Sequence, residues 1–256
     1  MIKVKNNRTG GSLYHYAHFF CDCLFPEVLG GVYKYDTVIR EKSLHQSLGN
    51  FSSIYEELMN AKNKELLPQE YQQTNLQTYH YKNKEEYKNK ESFEKFRQYV
   101  FQRYNISPQV YNKSYPEILL IKRGGRINLI DDEYLKSQNS NTTTGKERRE
   151  INNIEEVEDY LREIYGNRFK ALYFETLSFS EQIKYFNNAK LIVCAHGAVM
   201  SNMFFCKPNT IVLEVTCNAE YPFFDDISRI LNLKHLKCHQ NNFESIKKTI
   251  DMNYVN

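Results

Sequence analysis

Leu191–Asn202, LIVCAHGAVMSN, is the stretch on which the fold turns. Its first residues form an apolar run with the length and composition of a strand buried on both faces. His196-Gly197-Ala198 breaks that run with small residues, and AVMSNMFF, residues 198–205, continues as a helix. A strand that passes straight into a helix points the unpaired amides of the first helical turn above the sheet, where an anion fits. Gly197 lets a ligand approach the backbone closely. The tripeptide also suits a tight turn whose histidine bonds only to a neighbouring backbone group, so it leaves both readings open.

The sequence on both sides is regular. INNIEEVEDYLREIYG (151–166) reads as a helix, KALYFE (170–175) as a strand, SFSEQIKYFNNA (178–189) as a helix, and KLIVCA (190–195) and TIVLEVT (210–216) as strands. Strands alternating with helices imply right-handed crossovers and a parallel sheet covered on both faces, an α/β architecture of the nucleotide-binding type. Asn152 or Asn153 is placed to cap the first helix, with Glu155 and Glu156 in its opening turn, and Ser178 or Ser180 to cap the second near Glu181. Upstream, Pro116 introduces EILLIKRGGR (117–126), a central strand followed by a Gly-Gly turn between Arg123 and Arg126. The expected domains are therefore 1–115 and 116–256, with an exposed, mobile Asn/Thr-rich loop over 136–147 in the second.

In the amino-terminal part, Tyr14–Leu29 (YHYAHFFCDCLFPEVL) reads as a buried helix ending at Gly30-Gly31. Residues 32–39 read as a strand and 69–84 show no clear period. Residues 51–67 and 87–104 read as amphipathic helices, the second with Phe93, Phe96 and Val100 on its apolar face. His18 and Asp22, four residues apart, share a helix face, with His15 one turn earlier. Such a carboxylate can act as general base on a hydroxyl, or orient an imidazole that does. His15, His18, Cys21 and Cys23 form a poor zinc set, because CxC is unlike the common CxxC hairpin; no metal site is expected.

Other side chains suit an anionic ligand. Arg123 follows a strand, and Arg148-Arg149 precede a helix, so permanent, fork-shaped charges can converge on a diphosphate, although Arg126 and Arg148 individually fit a solvated surface better. Glu214 ends the strand TIVL, where a carboxylate commonly pairs with ribose hydroxyls; capping or surface roles are its alternatives. The 256 residues carry 41% hydrophobic and 25% charged residues and a formal net charge of +3, which fits a globular chain and argues against nucleic acid as a main partner. MIKVKNNRTGG has no apolar stretch after its basic residues, and no run approaches about 18 apolar residues. With six irregularly spaced cysteines, the expectation is a reduced, cytoplasmic protein without a membrane span. No GxxxxGK[ST] loop is present, which disfavours a nucleotide-dependent kinase or sulfotransferase.

Taken together these blocks resemble glycosyltransferase family 61. SLYHYAHFFCDCLFPEV is similar to the family's H-x-x-x-D helix leading to a proline, with His18 and Asp22 on the matching positions. IKR and RREINNIEEV resemble its Arg followed by R-x-I-x-N-x-E-x-V, matched by Arg123 and Arg149, with Arg126 of RGGRIN as a competing second arginine. FETLSFSEQIKYFNNAKLIVCAHGAVMSNMFFCKPNTIVLEV is similar to its Q-x-x-x-F-x-x-A, H-G-A-G-x-x-N and strand-Glu signatures, except that Val199 stands where the second glycine is usual. The resemblance implies a GT-B arrangement of two facing Rossmann-like domains, with 1–115 on the acceptor side and 116–256 on the sugar-nucleotide side. It implies inverting, metal-independent transfer from a nucleotide sugar, UDP-linked by expectation, to a glycan or protein-linked hydroxyl, with no cofactor beyond that co-substrate. Arg123, Arg149, His196, Gly197, Ala198, Asn202 and Glu214 would hold the donor, and Asp22 or His18 would serve catalysis. The alternative is a catalytically inactive carbohydrate- or nucleotide-binding module that keeps the fold.

Overall fold

The computed structural model describes residues 2–4, 13, 15–34, 37–40, 44, 48–59, 62–65, 88–125, 145–217 and 223–254. The chain divides into two compact units, one built on Met1–Arg103 and one on Tyr104–Arg126 with Thr144–Asn256.

The first unit carries a three-stranded parallel sheet, β1 (Ile2–Val4), β2 (Thr37–Arg40) and β3 (Lys62–Glu65), in that order. Residues 14–29 were expected as one helix, and the structure interrupts it. The α-helical turns α1 (Tyr16–Phe19) and α2 (Phe25–Leu29) flank a π-helical turn at Phe20–Leu24. The helix stops where the glycine pair predicts: Gly30 N donates to Pro26 O, and Gly31 takes φ +72°, a left-handed conformation that favours glycine. Behind it, α3 (Ser52–Met59) and α4 (Lys90–Arg103) supply the core. Phe93, Phe96 and Val100 are fully buried as their spacing predicts, and Phe25 meets both phenylalanines edge-on. The helix expected over 51–67 is shorter. It ends at Met59, and KNKE forms β3 because its backbone pairs in register with β2, a tertiary partner that local propensity does not reveal. Residues 69–84 lie outside the described residues.

The second unit is α/β, with a five-stranded, all-parallel sheet flanked by helices. Its strands β4 (Ile118–Lys122), β5 (Phe169–Tyr173), β6 (Leu191–Ala195), β7 (Ile211–Val215) and β8 (Lys234–Cys238) run in the order β5-β4-β6-β7-β8. Between the strands lie α5 (Gly145–Arg148), α6 (Ile154–Tyr165), α7 (Phe179–Asn188) and α8 (Phe223–Ile230), and α9 (Phe243–Asn253) follows β8. One face of the sheet, with Ile118, Leu120, Leu191, Val193, Leu213 and Val215, packs with Val157 and Leu161 of α6 and Ile246 and Ile250 of α9. Every residue of β6 and β7 is buried, as the apolar runs require.

Local signals behave unevenly. Ser178 forms a full capping box with Glu181. Asn153 occupies the N-cap of α6 in a left-handed conformation without capping it, and its amide bonds Glu156 Oε1 at 2.7 Å instead. AVMSNMFF was expected as a helix of ordinary pitch, and Ala198–Phe205 is a 3-10 helix, opened by Met200 N donating to Gly197 O. Three residues per turn bring Met200 and Met203 into line, and both are fully buried. The loop expected over 136–147 lies outside the described residues except for its last positions, which open α5.

Candidate functional site

The strand order places a topological switch point between β4 and β6, since the chain leaves β4 toward β5 on one side and returns to β6 on the other. In open parallel sheets ligands bind outside the carboxyl ends of the strands at that point. Arg123 follows β4, and His196-Gly197 follows β6. Arg123 Nη1 lies 3.4 Å from His196 O, a long contact that sets the guanidinium against the turn. His196 N extends the β6–β7 ladder by donating to Val215 O at 2.8 Å.

Gly197 is needed for space rather than for conformation. Its φ of 170° is extended backbone, but a Cβ there would lie 3.2 Å from Arg123 Nη1. Ala198 and Val199 are half-buried at the start of the 3-10 helix. Arg149 is half-buried as well. Its charge and that of Arg123 both pull on the Cys217 thiol just past β7, lowering a pKa that burial raises more strongly. Both guanidiniums therefore gather at the carboxyl edge of the sheet.

The polar excursion between these arginines is closed at its base. Lys146 N donates to Gly124 O at 2.9 Å, and a Cβ on Gly145, which takes φ +49°, would fall 2.6 Å from the Gly125 carbonyl. Glycine is required there on both counts. Glu175 accepts from Gly124 N, which fixes the residue next to Arg123. The rival arginine, Arg126, lies outside the described residues, and of Arg148 only the backbone is described.

Glu214 sits elsewhere than at the rim. It is paired in register with Cys194 on β6 and Lys237 on β8, and it is 1% exposed. His196 Nδ1 bonds one of its oxygens, and His235 Nε2 meets the other at 2.8 Å. Burial pushes its carboxyl pKa up, but hydrogen bonds and charge from both imidazoles outweigh that and hold it down at about 2. On the far side of His235, Nδ1 is 3.0 Å from Asp225 Oδ1, close enough for charge attraction but out of line for a hydrogen bond. Asp225 Oδ2 in turn holds Lys237 Nζ at 2.7 Å. Each Glu214 oxygen faces one histidine here, and a ribose hydroxyl would need the second lone pair of one of them. The neighbouring Cys194 thiol is pushed far up, first by burial and then by the Glu214 charge, so it is no nucleophile.

Asn202 is also interior. Its amide donates to Gln182 Oε1 at 3.0 Å, and the Gln182 amide bonds Phe174 O at 3.0 Å and Leu177 O at 3.2 Å. It ties the 3-10 helix to α7.

His18 and Asp22 belong to the first unit. Asp22 lies within the π-helical turn, a feature common at functional sites. His18 Nδ1 is 2.8 Å from Asp22 Oδ2, with the His18 side chain 25% exposed and that of Asp22 8%. Asp22 Oδ1 is buried and meets no hydrogen-bond partner among the described residues. Nearby Glu27 is buried between Tyr55 OH at 2.6 Å and Cys23 Sγ at 3.3 Å. All six cysteines are free, and no cluster of three or more His, Cys, Asp or Glu suited to a metal occurs among the described residues. No helix among those residues is long and apolar enough to cross a membrane.

Sequence reasoning did not reach His235 or Asp225. Their only advance signal is the two-residue spacing of His235 and Lys237, which would put both on one face of a strand; no spacing ties Asp225 to them.

The glycosyltransferase 61 family model matches residues 16–213, from the start of the His18–Asp22 helix into β7. No curated protein matches the chain significantly. With a match across most of its length, the chain belongs to glycosyltransferase family 61, enzymes that move a sugar from a donor to a glycan acceptor.

Proposed function

We propose that the protein is an inverting, metal-independent glycosyltransferase of the GT-B type, which takes its sugar from a nucleotide-sugar donor, a UDP-sugar first among them. The observation that carries this reading is Arg123 lying against the His196-Gly197 turn at the switch point of a parallel sheet, with Arg149 at the same edge. Fixed guanidiniums and the amides of a helical turn are aimed where negative charge grows on the departing diphosphate, and such preorganised charge is usually the largest catalytic contribution. Arg123, Arg149, Gly197 and Ala198 bind the diphosphate, while Glu214 and Asn202 support the turn from within.

The acceptor hydroxyl attacks the anomeric carbon from the face opposite the leaving group. Asp22 removes its proton as general base, and His18, by donating Nδ1 to Oδ2, keeps the carboxylate oriented with Oδ1 left for the hydroxyl. A buried carboxylate oxygen without a donor is costly, and a substrate hydroxyl is a group that would relieve it. The first unit would then carry the acceptor and the second the donor.

The test is a panel of UDP- and GDP-sugars, followed by thermal shift and by release of free nucleotide in the presence of glycan acceptors. Stabilisation by one nucleotide family, with release of the same nucleotide, is expected. Neither binding nor release across the whole panel would sink the reading.

A further inference from the structure

Arg149 stands just ahead of α6, and the chain that follows it is held by a side chain from beyond β8. Ile151 is buried with the face of the sheet that α6 covers, which anchors one point. The backbone groups on either side of Ile151 go to Asn241. Asn241 Nδ2 donates to Glu150 O at 2.7 Å, and Asn152 N donates to Asn241 Oδ1 at 2.8 Å. Asn241 Nδ2 also faces Cys217 Sγ at 3.5 Å, and the Cys217 thiol donates to the same Glu150 carbonyl at 3.4 Å. The donor and acceptor ends of the amide are thus both engaged, which settles the way it points. Asn241 is itself carried on the short turn between β8 and α9, where Asn242 N donates to Gln240 O at 2.9 Å and the Asn242 side chain caps α9. Cys217 takes φ +48°, a left-handed conformation that costs a non-glycine residue and persists where its surroundings hold it.

We infer that Asn241 is a positioning residue of the donor site, which grips Glu150 and Asn152, with Cys217 on the same carbonyl, and so sets where Arg149 presents its guanidinium. The inference rests on the role given to Arg149 under Proposed function. Arg149 and Glu150 belong to no helix or strand, so no regular ladder fixes their backbone, and Asn241 supplies the partners that a ladder would. A planar fork matches two phosphate oxygens over a narrow range of positions, and a misplacement of about 1 Å at such a group is costly. Asn241 lies beyond the stretch matched by the family model. Its effect on the donor is carried by Arg149 alone.

The experiment uses the full chain with UDP and uridine as probes, since only UDP carries the diphosphate that Arg149 would grip. Calorimetry gives the affinity for UDP, and displacement of UDP gives that for uridine. Asn241→Ala should weaken UDP about fivefold and leave uridine within about twofold of wild type. In an Arg149→Ala background the same change should cost nothing further, because the guanidinium through which Asn241 acts is gone. Asn241→Asp keeps the acceptor for Asn152 N and loses the donor to Glu150 O, so it reads the same cycle if Asn241→Ala does not fold. A merely structural asparagine lowers the melting temperature and leaves UDP affinity alone, or weakens UDP and uridine alike. Either result overturns the inference, and so does a loss that adds in full to that of Arg149→Ala. Wild-type protein that binds no UDP overturns the donor reading and the inference with it, a failure visible before any variant is made.

Discussion

Arg123 lies over Gly197 with no room for a methyl group between them: a Cβ on Gly197 would approach Nη1 to 3.2 Å and Cζ to 3.7 Å. Contacts that tight force the guanidinium to shift by a few tenths of an ångström, while the extended backbone of Gly197 accepts alanine without strain. Gly197→Ala should therefore weaken UDP or UDP-sugar affinity by about tenfold and move the melting temperature by less than about 2 °C. Calorimetry and a melting curve on one sample separate the two effects. A large loss of stability at unchanged affinity would place the glycine's role in folding instead.

Asp22→Asn separates the acceptor chemistry from donor binding. The amide keeps the size of the carboxyl group but not its basicity, so turnover should fall by about 10²–10⁴, the span of general-base contributions. Nucleotide affinity should stay within about twofold, because Asp22 lies in the other unit. Removing a charge whose Oδ1 has no described partner should also leave the melting temperature equal or slightly higher, the usual trade at a strained functional site. Unchanged turnover in a donor-hydrolysing or transferring assay would remove Asp22 from the base role and return it to His18.

Gln182 and Asn202 come from separate sequence blocks and meet in a single hydrogen bond. Gln182 also holds two carbonyls, at Phe174 and Leu177, so Gln182→Ala should be the costlier change, about 2–3 kcal/mol against about 1–2 for Asn202→Ala. A double-mutant cycle by urea unfolding should give a coupling of about 1 kcal/mol. Strict additivity would show that the two amides reach stability through unrelated contacts.

The distribution of what could be read from residues has physical causes. β4, β6 and β7 are buried on both faces, so burial wrote itself into them as apolar runs, and Ser178 with Glu181 announced its capping box. The edge strand β8 is half exposed and reads KHLKC, with lysines of the kind that protect a sheet edge, so no periodic signal marks it. With β8 unread, His235 was beyond reach, and Glu214 looked like a free carboxylate at a strand end. β3 was hidden for a related reason, since KNKE owes its strand state to backbone pairing with β2. The π-helical turn around Asp22 has no composition of its own: four-residue spacing correctly joined His18 to Asp22 without revealing the wider turn between them.

Glu214 also sets a pH dependence whose sign follows from its direction of shift. Its folded pKa, about 2, lies below the ordinary 4.5, so folding favours the charged form. That contribution is fully present above about pH 4.5 and is lost as the pH falls through 4.5 toward 2. Glu214→Gln keeps the side-chain shape but cannot ionise, and its amide faces the donor on His235. The variant should be less stable than wild type by about 2 kcal/mol at pH 6, and the gap should narrow steadily between pH 4.5 and 2.5. Urea unfolding of both proteins along that pH series measures it. A gap that stays constant down to pH 2.5 would mean that the carboxylate gains nothing from its two histidines.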